Sequence, residues 1–193
     1  LKNHTAFEKH SLIPIITNFP ALIPSDGRYF GTYGFTFLQL SKKFETVIDW
    51  NFIEYGKLWN YNLQYFDYLH DGAMPDEIKK RLLEDFSVQL LNGSIKAEPY
   101  PVSIRLVNWI LYYSRTDYHS NEFDRALKLQ VDYLANNLEY HILANHLFEN
   151  YVTITVAGVA LGDIALRAKG LNGIQKELDE QILPDGAHYE CSP

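Results

Sequence analysis

Cysteine is almost missing from this chain: Cys191 stands alone among 193 residues, which rules out an internal disulfide and any multi-cysteine metal site. Positive charge is scarce as well. The 17 Lys and Arg against 24 Asp and Glu leave a net charge of -7, the wrong sign for a surface that grips a nucleic-acid backbone. The same balance disfavours polyanions unless cations gather locally, and Arg105, Lys128, His141 and His146 are the candidates for such a pocket. Long apolar runs are absent. The most apolar stretch, 151–166, is broken by Thr153, Thr155, Gly158, Gly162 and Asp163 and is too short to cross a bilayer. The opening LKNH lacks the apolar core and small-residue site of a signal peptide. No HExxH, no Gly-rich phosphate loop and no GxSxG elbow occurs, so neither a metal nor a cofactor is expected.

Apolar and aromatic residues are plentiful. A hydrophobic share of 47% suffices for a packed core. The 14 Tyr, 11 Phe and 3 Trp make up 15% of the chain, many of them clustered as in WNYNLQYFDY at 59–68. Most suit core and helix packing. A mixture such as Tyr61, Asn62 and Tyr65 also suits a carbohydrate groove, where flat rings meet sugar C–H faces and polar edges bond hydroxyls.

Residues 1–35 carry Pro14, Pro20, Pro24, Gly27, Gly31 and Gly34 without a helical period, which predicts an irregular arm. Aromatic and β-branched residues at 35–40 and 44–50 predict two short strands paired as a hairpin. The expected division is an arm with short extended segments over 1–58 and a helical domain over 59–193. Helical spacing recurs over 61–69, from Pro75 to the stop at Asn92-Gly93, and from Ser103 as a cap to about 115. It returns from Ser120 or Asn121 through 134, from 144 to about 169 ahead of Gly170, and over 174–182 ahead of Pro184-Asp185-Gly186. Five or six helices in hairpins predict an all-α fold, packed as a bundle or as a curved, toroid-like stack.

Three polar clusters carry chemistry. Asn145, His146 and Glu149 fall within one turn, with 145 and 149 on one face. A plain helix start, with Asn145 as cap and Glu149 in the first turn, explains them equally well. Arg105, Asn108 and Trp109 stand at i, i+3 and i+4, again on one face. An Arg fork holds a carboxylate or sulfate by two hydrogen bonds while a Trp stacks on the sugar, although a buried Trp beside a surface Arg fits the spacing better. The third cluster is PDGAHYECSP at 184–193, either a site loop with His188, Tyr189 and Glu190 or a plain turn.

Four segments in order resemble the N-terminal helical domain of the heparinase II/III-like polysaccharide lyases, relatives of the toroid-type alginate lyases. They are WNYNLQYFDYL at 59–69, PYPVSIRLVNWI at 99–110, NLEYHILANHLFEN at 137–150 and EQILPDGAHYECSP at 180–193, and the likeness covers about 35–193. The resemblance implies an incomplete (α/α) toroid followed by a β-sandwich domain, in a periplasmic or secreted enzyme. It implies an acidic polysaccharide substrate, heparan-like or alginate-like, cleaved by β-elimination. At the matching positions Asn145 and His146 would neutralise the uronate carboxylate, and Glu149 occupies an acidic position used in some members. Arg105, Asn108, Trp109, Tyr61, Asn62, Tyr65, His188 and Glu190 would line the groove. Removal of the C5 proton builds charge on the carboxylate, which donors such as the Asn145 amide and protonated His146 stabilise. The family commonly uses a Tyr as base and acid, and its Tyr-His pair is expected beyond Pro193, so this chain is expected to be a fragment with little activity alone. Two other classes stay open: a non-catalytic glycan-binding module, and a toroid glycoside hydrolase with paired carboxylates such as Glu149 and Asp185.

Overall fold

The computed structural model describes residues 28–140, 142 and 144–187. Among them the architecture is mostly helical, with a small sheet ahead of the helices. Three antiparallel strands, β1 Tyr29–Phe30, β2 Gly34–Phe37 and β3 Leu40–Lys43, pair in the order β1-β2-β3. Phe37 pairs with Leu40, so the two residues Leu38 and Gln39 make the turn. Both have left-handed φ, 52° and 64°, the backbone that a two-residue hairpin demands. The turn therefore falls within 35–40, the stretch predicted as a single strand. Its predicted partner, 44–50, forms no strand; Phe44, Ile48 and Trp50 instead pin an irregular segment to the core.

Six α-helices follow among the described residues: α1 Lys57–Tyr65, α2 Asp76–Leu91, α3 Pro99–Thr116, α4 Asn121–Asn136, α5 Ala144–Ala160 and α6 Ile164–Gln181. Local chemistry sets their ends. Phe66 in the left-handed region stops α1, and a 3-10 turn over Asp67–His70 follows. Pro75 precedes α2, whose first turn carries Asp76 and Glu77 against the positive end of the helix dipole. Pro99 and Pro101 occupy the first turn of α3, where no N–H is needed, so the helix starts ahead of Ser103, the predicted cap. Ser120 Oγ accepts from the Phe123 N–H and caps α4.

The helix predicted as unbroken over 144–169 divides at Gly162, with φ 66°, and Asp163, whose carboxylate caps the Leu166 N–H. Gly170, the predicted stop, lies inside α6, which absorbs the helix predicted over 174–182. A Cβ on Gly170 would stand 2.8 Å from the Thr155 nitrogen of α5, so the bare glycine lets the two backbones touch.

The helices alternate between two rows. α1, α3 and α5 pack side by side, α2 lies along α4, and α4 and α6 close against α3 and α5 across the rows. One apolar cluster runs from Phe35 and Phe37 of the sheet through Trp59, Phe66 and Phe86 to Trp109, Phe123 and Ile154. At its centre Trp50, Phe66 and Phe86 meet with centroids 5.0 to 5.2 Å apart, in the stacked and edge-to-face arrangements that ring quadrupoles favour. No described helix is long and apolar enough to cross a membrane.

Candidate functional site

α1 ends inside the molecule, so its last carbonyls need partners from elsewhere in the chain. Tyr68 Oη donates to the Leu63 carbonyl at 2.9 Å, Arg105 Nη1 to that of Gln64 at 3.1 Å, and Asn108 Nδ2 to that of Tyr65 at 2.9 Å. Arg105 also donates from Nε to Gln130 Oε1 at 2.5 Å and lies over the Phe86 ring. It is fully buried, and desolvation pulls its guanidinium down to about 9.

The shared face of Arg105, Asn108 and Trp109 thus points to the end of α1 and into the core. This corrects their placement in a groove: Arg105 and Trp109 are 0% exposed, and Trp109 stacks on Phe123. Asn108 is half-buried, with its amide committed to Tyr65 and to His70. The expected local basic pocket loses Arg105 to the core, and Lys128 stands on the exposed side of α4 beside Asp132.

Capping of α1 from behind fixes the position of its outer face. From there a strip of partly exposed rings crosses the start of α3 to the first turn of α5. Centroids are 6.3 Å apart from Tyr61 to Tyr65, 6.3 Å from Tyr65 to Tyr100, and 4.1 Å from Tyr100 to His146, the last pair stacked. At the α1 end, Tyr61 Oη donates to Glu98 Oε2 at 2.7 Å, and the same oxygen holds Lys57 Nζ. Asn62 spends its amide on the Leu58 carbonyl one turn back.

At the α5 end, Asn145 is exposed and is the second residue of the helix, past the capping position; its amide has no hydrogen-bond partner among the described residues. His146 Nδ1 stands 3.3 Å from Oε1 of Glu139. Glu139 is buried, accepts Asn150 Nδ2 at 3.1 Å, and gives its backbone N–H to Asn150 Oδ1 at 2.9 Å. Asn150 reaches Ser103 Oγ of α3 at 3.0 Å, and Thr153 Oγ1 donates to the Ser103 carbonyl. Glu149 is half-buried, and burial pushes its carboxyl up. The Tyr100 phenol is raised too, by burial first and then by the charges of Glu149 and Glu139.

His188 and Glu190 lie outside the described residues, as does His141. Asp185 stands in an exposed turn after α6, accepting the Ala187 N–H, while Glu149 is half-buried in α5. No group of three or more His, Cys, Asp or Glu able to hold a metal occurs among the described residues. Tyr100, Glu139 and Ser103 were not singled out by sequence reasoning as members of this cluster. The available signal was the polar content of NLEYHILANHLFEN, but helical spacing cannot show that Glu139, ahead of the helix, folds back onto it.

The structure therefore defines a mostly helical domain that carries an open aromatic strip ending at the His146 imidazole. The family model described as the heparinase II/III N-terminus matches residues 54–193, and the chain belongs to that family, which points to a polysaccharide-lyase domain. No curated protein and no solved structure gave a match.

Proposed function

We propose that this chain supplies the substrate-holding part of a lyase that cleaves a uronic-acid polysaccharide by β-elimination. The supporting observation is the ring strip from Tyr61 through Tyr65 and Tyr100 to His146, which ends in the first turn of α5, where Asn145 is exposed. Sugar rings lie along the phenols. The uronate carboxylate is held at the start of α5, where unpaired N–H groups and the helix dipole favour an anion. The Asn145 amide and the protonated His146 ring donate to it. Glu149, half-buried one turn further along α5, has its carboxyl raised by burial, which lessens its opposition to a bound anion.

Held in this way, the carboxylate accepts the charge that builds when C5 loses its proton to a base. The electron pair forms the C4–C5 double bond, the bond from C4 to the leaving oxygen breaks, and that oxygen takes a proton. Base and acid are the work of a tyrosine of the kind the family uses. The two alternating rows of helices suit an arc of an (α/α) toroid, with a β-sandwich domain completing the groove and an exported enzyme acting on polysaccharide outside the cytoplasm.

The test is ultraviolet absorbance of the unsaturated uronate product, with the full-length protein and its Asn145→Ala variant. Loss of one preorganised donor is expected to lower kcat by roughly 100-fold or more. Unchanged turnover by Asn145→Ala removes the assigned role. Products without a double bond assign hydrolysis instead, and binding without turnover assigns a glycan-binding module.

A further inference from the structure

We infer that Glu139 is a positioning residue that sets which nitrogen of His146 meets the substrate, an inference that rests on the proposed carboxylate-binding role of His146. Glu139 stands between α4 and α5, seven residues before His146, and is only 5% exposed. A carboxylate so buried has to be compensated by hydrogen bonds. Asn150 Nδ2 donates one to Oε2, and Asn150 Oδ1 holds the same residue from the other side by accepting the Glu139 backbone N–H. The second Nδ2 hydrogen goes to Ser103 Oγ. Because a backbone N–H only donates, the Asn150 amide has one workable orientation, and Glu139 is locked by it.

That lock leaves Oε1 facing His146 Nδ1 at 3.3 Å. An ionised carboxylate only accepts, so Nδ1 carries the hydrogen. The Tyr100 ring, stacked at 4.1 Å, closes one face of the imidazole. Two contacts of different kinds thus fix the ring plane and its rotation, and Nε2 is the nitrogen left without a protein partner among the described residues; it carries the second hydrogen, and donates to the carboxylate, in the protonated ring. Ser103, Asn150 and Glu139 form the frame, with His146 as the group that touches the ligand. The arrangement repeats the logic of an acceptor that orients an imidazole from behind.

The experiment reads the ring tautomer by nitrogen-15 shifts of the protein labelled at histidine, with His146→Gln for assignment. In the wild type the neutral ring should be the Nδ1–H tautomer. In Glu139→Gln the Asn150 amide retains the Gln oxygen, which turns the Gln NH2 group onto Nδ1, reverses the neutral ring to the Nε2–H tautomer and leaves Nδ1 unable to take the second hydrogen that makes the ring a cation. In the full-length protein the same variant should lose 10- to 100-fold in kcat on a uronate polymer, the size seen when the partner behind a liganding histidine is removed, with a smaller change in KM. A wild-type Nε2–H tautomer overturns the inference without need of a folded variant. So does a reversed tautomer with unchanged kcat. A reversed tautomer in a protein that cleaves no uronate polymer supports the positioning of the ring and removes the proposed lyase role instead.

Discussion

His70 is buried behind α1 with both ring nitrogens engaged. Its Nε2 contacts Asn108 Oδ1 at 3.0 Å, and its Nδ1 accepts from Arg115 Nη2 at 3.0 Å. A proton on Nδ1 would meet a guanidinium. Burial first, then Arg115, and further Lys79, bring this histidine from its ordinary 6.5 down to about 4, against a weaker pull upward from Asn108. Between those values the unfolded chain binds a proton that the folded chain refuses, so stability is full above pH 6.5 and is lost as pH falls towards 4. The loss is on the order of 3 kcal/mol. Urea midpoints measured across that window should fall more steeply for the wild type than for His70→Gln; parallel slopes would refute the assignment. The same neighbourhood shows where sequence reading stops. Spacing at i and i+3 places Arg105 and Asn108 in one direction, and that held. What lies in that direction is the end of α1, 41 and 43 residues earlier in the chain, which no periodicity reports. A buried cation that caps carbonyls and a surface cation that grips a ligand have the same sequence signature.

At the scale of elements, helix existence was legible and helix boundaries were less so. α2 and α4 follow from Pro75, Asn92-Gly93 and Ser120 because each end is set by local chemistry already visible in the residues. The break between α5 and α6 was equally local, a left-handed Gly162 followed by the capping Asp163, but the apolar pattern running through it reads as one helix. The hairpin turn had no such signal, since Leu38 and Gln39 take the positive φ that Asn and Gly normally supply. Gly170 misled for a different reason: it is required by a neighbour rather than by its own backbone. In an exposed helix Gly→Ala gains about 1 kcal/mol. Here the added methyl meets Thr155 of α5, its nitrogen at 2.8 Å and its hydroxyl closer still. Backbone on both sides leaves little room to give, so Gly170→Ala should destabilise by about 2 kcal/mol, within the range for overpacking. Thermal or urea unfolding decides the sign; a stabilised variant would mean that α5 and α6 do not approach as described.

Across the whole molecule, the residues of the candidate site hang on α3. Its first turns supply Tyr100 and the Ser103 hydroxyl beneath Asn150, and its middle sends Arg105 and Asn108 to cap α1, whose outer face carries Tyr61 and Tyr65. α3 packs against α1, α4 and α5, so loosening it would disperse both ends of the ring strip at once. α6 is placed differently. Its main neighbour among the described residues is α5, and Ile164, Leu171 and Leu178 are 83%, 46% and 40% exposed along it. Few buried apolar contacts mean a small free energy of local opening, whereas a helix packed on three sides opens only with the whole fold. Amide hydrogen exchange should therefore be slowest in the centre of α3, near the limit set by global unfolding. The centre of α6 should exchange faster, through an opening that depends weakly on urea because it exposes little surface. Equal protection of α3 and α6 would show that α6 is held by contacts beyond the α5 interface. Faster exchange in α6 would mean that this helix can open while the frame under Asn145 and His146 stays closed, which is the preorganisation that the proposed carboxylate-holding role requires.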